Sequence, residues 1–165
     1  MNYGASLATA EILYFLHADT FPPNNFARQI IDAYAKGFAS GCFRLSFDHP
    51  SLFLKANCWF TRFNVANVRF GDQSLFVSKK IFQKIGGFTV EMILLEDQEI
   101  ITRIQKLSRF VVLRDAVISS ARKYVSNGVV KTQAVFYLIY LMYQLGFSQQ
   151  KLITTYRKLI KQDKL

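Results

Sequence analysis

The stretch ILYFLHADTFPP, residues 12–23, decides how this chain is read. Ile12 to His17 is an apolar run of strand length, and a continuous apolar run suits a strand covered on both faces of a parallel or mixed sheet. The run ends in His17-Ala18-Asp19-Thr20 and then meets Pro22-Pro23, which end regular structure. A carboxylate just past the end of a buried strand lies where open α/β sheets bind ligands. One carboxylate plus substrate phosphates is a common way to hold Mg²⁺, and Mn²⁺ would also accept His17. The plainer reading of Asp19 is an Asx-turn ahead of the prolines.

Working outward, short strands alternate with helices. Tyr3 to Ala10 is helix-compatible. Asn24 or Asn25 can cap a helix to about Lys36. Phe43, Leu45 and Phe47 alternate with polar residues at strand period. Ser51 to about Phe63 is expected to be helical, Ser74 to Val77 a strand, and Ser78 the cap of a short helix that stops at Gly86-Gly87. Glu96 to Leu107 is a helix with an apolar face of Ile100, Ile101, Ile104 and Leu107, followed by strands at Phe110–Leu113 and Val117–Ser119. From Asn127 two helices follow, about Gly128–Leu145 and Ser148–Lys161, the second amphipathic and basic. The fold class expected is α/β: residues 1–126 form a mixed sheet flanked by helices, and residues 127–165 a C-terminal helical appendage.

Composition sets the limits. The chain has 165 residues, of which 51% are hydrophobic, enough to bury a real core. Cys42 and Cys58 make neither a disulfide framework nor a zinc pattern, so reduced, buried thiols in a cytoplasmic protein are expected. No run approaches the roughly 18 apolar residues of a membrane span. The net charge of +10 favours anionic partners. Nucleic acid is disfavoured, because no basic-aromatic recognition motif is present. The apolar helix from Val129 and the basic helix after Ser148 suggest peripheral membrane contact. Gly-x-Ser-x-Gly, phosphate-cradling Gly-rich, Cys-x-x-Cys and His-Glu-x-x-His motifs are absent.

A second acidic site is Glu96-Asp97, with Glu99 beside it. Acidic residues in a first turn favour the helix dipole. A carboxylate aimed into a cleft from that position can also act as a general base. Gly71-Asp72-Gln73 is compatible with a plain turn, and Arg122-Lys123 with a phosphate contact or a solvated face. His49 has no partner that the sequence identifies.

Taken in order, Met1-Asn2-Tyr3-Gly4-Ala5, ILYFLHADTFPP, RFGDQSLFVSKKIFQKIGGF (69–88), LLEDQEIITRIQK (94–106) and SARKYVSNGVVKT (120–132) resemble family 2 glycosyltransferases with the GT-A fold. They look most like the bacterial subgroup named "transferase 2, radical SAM/selenodomain-associated". The resemblance implies an inverting, metal-dependent transfer of a sugar from a nucleotide-sugar donor to an acceptor hydroxyl. His17-Ala18-Asp19 would stand in the Asp-x-Asp place, with Asp19, and less directly His17, holding Mg²⁺ or Mn²⁺. Glu96-Asp97 would stand in the Glu-Asp place, with Asp97 as base. Gly71, Asp72, Gln73 and Arg122 would lie near the substrates, and Gly86-Gly87-Phe88 would turn into the acceptor-side loop. Members of that family carry about 60 to 80 further residues ahead of this region, one or two βα units that bind base and ribose. On that expectation the chain is a partial GT-A domain, a portion of a transferase or a non-catalytic remnant. An exposed sheet edge would then invite a homodimer or an N-terminal partner.

Overall fold

The structure is a computed structural model, and it describes residues 1–64 and 73–161. Five strands form one mixed sheet in the order β1-β4-β3-β5-β2. Their ranges are β1 Ile12–Phe15, β2 Thr20–Phe21, β3 Ser40–Phe47, β4 Leu75–Ser78 and β5 Phe110–Ser119. Strand β3 runs parallel to β5, and the other neighbours are antiparallel.

The Ile12–Phe15 strand is covered on both faces of a mixed sheet, as expected, with Leu13 and Phe15 packed on one side and Ile12 and Tyr14 on the other. β1 is an edge strand, paired antiparallel with β4, and only Leu13 within it is fully buried. Thr20-Phe21, expected in a loop, pairs with the end of β5 at the opposite edge. The chain therefore passes from one edge to the other between Phe15 and Thr20. Five residues reach at most about 18 Å, whereas four strand spacings in a flat sheet need about 19 Å. The sheet closes that gap by curling, and the connection carrying His17, Ala18 and Asp19 runs across the mouth of the curl.

Eight helices lie among the described residues: α1 Asn2–Leu7, α2 Phe26–Ala35, α3 Leu52–Phe60, α4 Lys79–Lys84, α5 Glu96–Leu107, α6 Arg122–Asn127, α7 Val129–Gln144 and α8 Gln149–Leu159. Period-two alternation sends neighbouring strand residues to opposite faces. Cys42, Leu75 and Val77 pack with Phe82, Phe88, Ile100 and Ile104, so α4 and α5 cover one face. Phe43, Leu45, Phe76 and Val117 pack with Ile30 and Ala33 of α2 on the other. Gly41 is required where β3 is squeezed, since a Cβ there would strike the Val111 carbonyl and the Phe76 ring.

Local signals acted as expected at several ends. The Ser78 hydroxyl accepts from Ile81 N at 3.3 Å and caps α4, and Ser51 and Ser148 cap α3 and α8 in the same way. Helix α5 has the expected bounds, although Leu107 lies outside its buried stripe. The two strands expected after α5 are one strand. Its register against β3 slips between Phe43 and Arg44, so Leu113 and Ala116 face consecutive β3 residues. The intervening Arg114-Asp115 forms a bulge that reads as a strand break in the sequence. His49 gains a local partner, its Nδ1 accepting from Ser51 N at 3.2 Å. Neither Cys42, which is buried, nor Cys58, which is half-buried, forms a disulfide.

Helices α7 and α8 pack back onto the sheet domain. Val135, Ile139, Leu152, Tyr156 and Ile160 bury Leu94 and Leu95, the residues just before α5. No helix among the described residues is long and apolar enough to cross a membrane.

Candidate functional site

The end of β1 and the start of α5 meet. His17 Nε2 lies 3.3 Å from Asp97 Oδ2. The contact is a hydrogen bond from His17 to the carboxylate when the ring proton sits on Nε2. Asp97 is the more enclosed partner, with 17% of its side chain exposed against 37% for His17. Glu96 lies beside it, and its carboxyl is raised above the ordinary 4.5, first by burial and then by the Asp97 charge, with His17 pulling the other way.

Three features set this corner. Leu95, at the N-cap of α5, sits at φ +65° in the left-handed region, a strained position for a branched side chain. Gln149, on the first turn of α8, clamps the same turn: its Oε1 accepts from Ile93 N at 3.3 Å and Leu94 N at 3.2 Å, and its Nε2 donates to Leu94 O at 3.2 Å. Glu99 is held elsewhere, paired with Arg103 through two 2.6 Å bonds, and Arg103 also donates to Ile85 O. Of the three acidic residues in this turn, Glu96 and Asp97 are the ones that reach the cleft.

Two cavities share a wall formed by His17, Leu94, Lys123 and Tyr156. One, of about 190 Å³, is lined by Glu96 and Asp97 and by side chains of α6, α7 and α8. The other is a groove of about 600 Å³ that holds Asp19 with Arg122, Lys123, Arg157 and Lys161. Asp19 is exposed there, and its carbonyl accepts from Ser120 N at 3.1 Å, which fixes it beside the end of β5. At the dividing wall Phe136 stacks on Tyr156, centroids 6.2 Å apart, and the Lys123 ammonium lies 5.9 Å from each ring. Asn127 ties the end of α8 into the groove, accepting from Lys161 N at 2.7 Å and donating to Lys161 O at 3.1 Å.

The structure thus brings His17, Asp19, Glu96, Asp97 and Arg122 around adjoining cavities. Gln73 is placed differently. It is 2% exposed, and its Nε2 donates to Phe43 O at 3.2 Å and Thr61 O at 3.3 Å, joining β3 to the end of α3. Gly71 and Asp72 lie outside the described residues. Sequence reasoning missed Arg157, Lys161 and Gln149. The basic, amphipathic pattern of α8 is the sequence signal for these cations, and in the sequence it points to peripheral membrane contact rather than to a groove. The Gly86-Gly87 turn is held by Asn2, whose side chain accepts from Phe88 N at 2.9 Å and donates to Phe88 O at 2.8 Å. Gly87 has φ +73°, and a Cβ there would lie 2.7 Å from Asn2 Oδ1.

Among the described residues no three His, Cys, Asp or Glu side chains gather as a metal cage. His17 is turned to Asp97. The donor set therefore fits a cation in one mode: a single carboxylate, Asp19, with the remaining positions filled by phosphate oxygens and water. The cations around Asp19 suit the phosphates that such a mode needs.

No protein-family model matches the chain, and no curated protein sequence matches it significantly. Among solved structures, the chain is similar to the mannosyltransferase PcManGT from Pyrobaculum calidifontis, in complex with GDP-Man and Mn²⁺, with a TM-score of 0.62 at 12% identity. The match covers 96% of this chain and 45% of that protein, so the chain spans less than half of its neighbour's length. The chain has a mixed α/β fold similar to that of part of this mannosyltransferase, with helices on both faces of the sheet and helices at its C-terminal end.

Proposed function

We propose that the chain is an inverting glycosyltransferase, or the C-terminal portion of one, that uses a nucleotide-sugar donor. The observation that carries this reading is the shared wall at His17, with a cationic groove bearing Asp19 on one side and a cavity bearing Glu96 and Asp97 on the other. A nucleoside diphosphate is the anion that a groove lined by Arg122, Lys123, Arg157 and Lys161 would take. Asp19 would hold a divalent cation, which when bound supplies charge neutralisation at the diphosphate.

In this scheme His17 donates to Asp97 Oδ2 and fixes the carboxylate, leaving Oδ1 for the acceptor hydroxyl. Asp97 takes the hydroxyl proton as the oxygen forms its bond to the anomeric carbon. The bond from that carbon to the diphosphate oxygen breaks on the opposite face, and its electron pair leaves with the nucleoside diphosphate. Placing base and leaving group on opposite sides of the reacting carbon gives inversion.

Calorimetric titration of GDP and UDP, with Mn²⁺ or Mg²⁺, into wild type and Asp19→Ala tests the reading. Metal-dependent binding that is lost in Asp19→Ala is expected. A folded wild type that binds neither nucleotide would overturn it.

A second reading, docking on an anionic membrane surface, is favoured by exposed Leu52, Trp59 and Phe60 on α3, Leu141 on α7 and Leu145 at its C-cap. The two helices are joined by Tyr137 Oη donating to Asn57 Oδ1 at 3.1 Å. Co-sedimentation with phosphatidylserine vesicles but not with neutral ones would support it, and equal recovery in the supernatant would remove it.

A further inference from the structure

We infer that the acceptor is a hydroxyl carried on a ring-sized apolar body, held in the cavity between the first turn of α5 and helices α6, α7 and α8. The inference rests on the transferase reading and names the substrate class for its acceptor half.

Size comes first. The cavity measures about 190 Å³, and an engineered apolar cavity of about 150 Å³ is known to hold benzene. One ring with a short substituent fits.

Chemistry comes second. Most of the wall is aromatic and aliphatic, from Tyr124, Phe136, Tyr137, Ile139, Tyr140 and Tyr156 with Leu94 and Leu95, while Gln98 adds a polar group beside the carboxylates. The tyrosine tips are partly engaged by protein groups: Tyr124 Oη donates to Gln133 Oε1 at 3.0 Å, and Tyr137 Oη donates to Asn57 Oδ1. A ligand between these walls meets ring faces and aliphatic carbon, to which it gains roughly 25 cal/mol per Å² of apolar surface removed from water. A sugar ring would need hydrogen-bond partners for each hydroxyl it buries, and unsatisfied ones are costly.

Polarity comes third. The carboxylates lie on one wall, at Glu96 and Asp97, and the cation on the shared wall, Lys123, already faces the Phe136 and Tyr156 rings. A ligand with one hydroxyl and one apolar body satisfies both parts when its hydroxyl lies toward Asp97 and its body against the rings.

The test is saturation-transfer NMR on the full chain with 4-fluorobenzyl alcohol and, in parallel, methyl glucoside, for wild type and Tyr140→Ala. Calorimetry of GDP with Mn²⁺ is run on the same samples. The expected result is saturable binding of the fluorobenzyl alcohol, weakened by at least about fivefold in Tyr140→Ala, with methyl glucoside binding more weakly still. Retained GDP affinity in Tyr140→Ala shows that the variant is folded. GDP binding without fluorobenzyl alcohol binding, or a preference for methyl glucoside, overturns the inference and leaves the transferase reading intact. Fluorobenzyl alcohol binding without any GDP binding overturns the transferase reading, and the acceptor role falls with it.

Discussion

His17 and Asp97, 80 positions apart in the chain, are in hydrogen-bond contact at 3.3 Å. The contact joins the end of an edge strand to the first turn of a helix. It also joins the two motifs that the sequence offered as separate candidates. A base that is already oriented by a donor needs less reorganisation when the acceptor arrives. Asp97→Asn is expected to lower kcat by about 10²- to 10⁴-fold, with nucleotide affinity changed by less than about threefold. His17→Ala is expected to lower kcat about tenfold by loosening the carboxylate. Single-turnover rates beside calorimetric affinities check both, and an Asp97→Asn protein with undiminished turnover would exclude Asp97 as the base.

The groove makes a prediction about salt. Arg157→Ala is expected to weaken GDP binding about three- to tenfold and to flatten its dependence on ionic strength. Titrations at low and high NaCl would show this. Equal affinities at every salt concentration would place the diphosphate elsewhere.

Glu96 carries a pH signature. Its carboxyl is raised by burial and then by Asp97, so the folded state binds the proton more tightly than the unfolded state does. Stability from this group is fully present below its ordinary value of 4.5 and is lost as pH rises through the raised folded value. Glu96→Gln removes the buried charge. Its Tm is therefore expected to match wild type at about pH 4 and to exceed it increasingly toward pH 7. Thermal melts across that range measure the gap, and parallel curves would contradict it.

Gln149 is a positioning residue. Its amide makes three bonds to the turn at Ile93 and Leu94, ahead of strained Leu95. Gln149→Ala is expected to destabilise the fold by about 1–2 kcal/mol and to reduce kcat with little change in GDP affinity. Denaturant melts and kinetics together test it. A loss of GDP affinity as large as the loss of kcat would point to a wider collapse of the groove.

For Gln73 the structure separates two roles. Gln73→Leu leaves the Phe43 and Thr61 carbonyls without a buried donor and is expected to cost about 1–3 kcal/mol. If the residue acts only through packing, GDP affinity of the folded variant stays at the wild-type level. A calorimetric titration at a temperature well below its Tm decides the matter.

The sequence by itself determined what depends on near neighbours. Ser78 and Ser51 are caps because a hydroxyl three residues before a free N–H is a local geometry. Gly86-Gly87 ends α4 because successive positive φ values favour glycine. The Glu96–Leu107 helix is legible in its spaced isoleucines and acidic start. The edge position of β1, the pairing of Thr20-Phe21 with β5 and the Arg114-Asp115 bulge were not legible, because strand order and register are set by contacts between distant segments. The site divides along the same line. Asp19, Asp97 and Arg122 stand out by residue type and motif. Their arrangement around a shared wall follows from the curl of the sheet, which carries His17 to α5 and Asp19 to β5. It follows also from the packing of α7 and α8 on Leu94 and Leu95, which brings Arg157 and Lys161 opposite Asp19. A side chain's chemistry is local, but the field and the cavity it faces belong to whichever distant elements the core draws beside it.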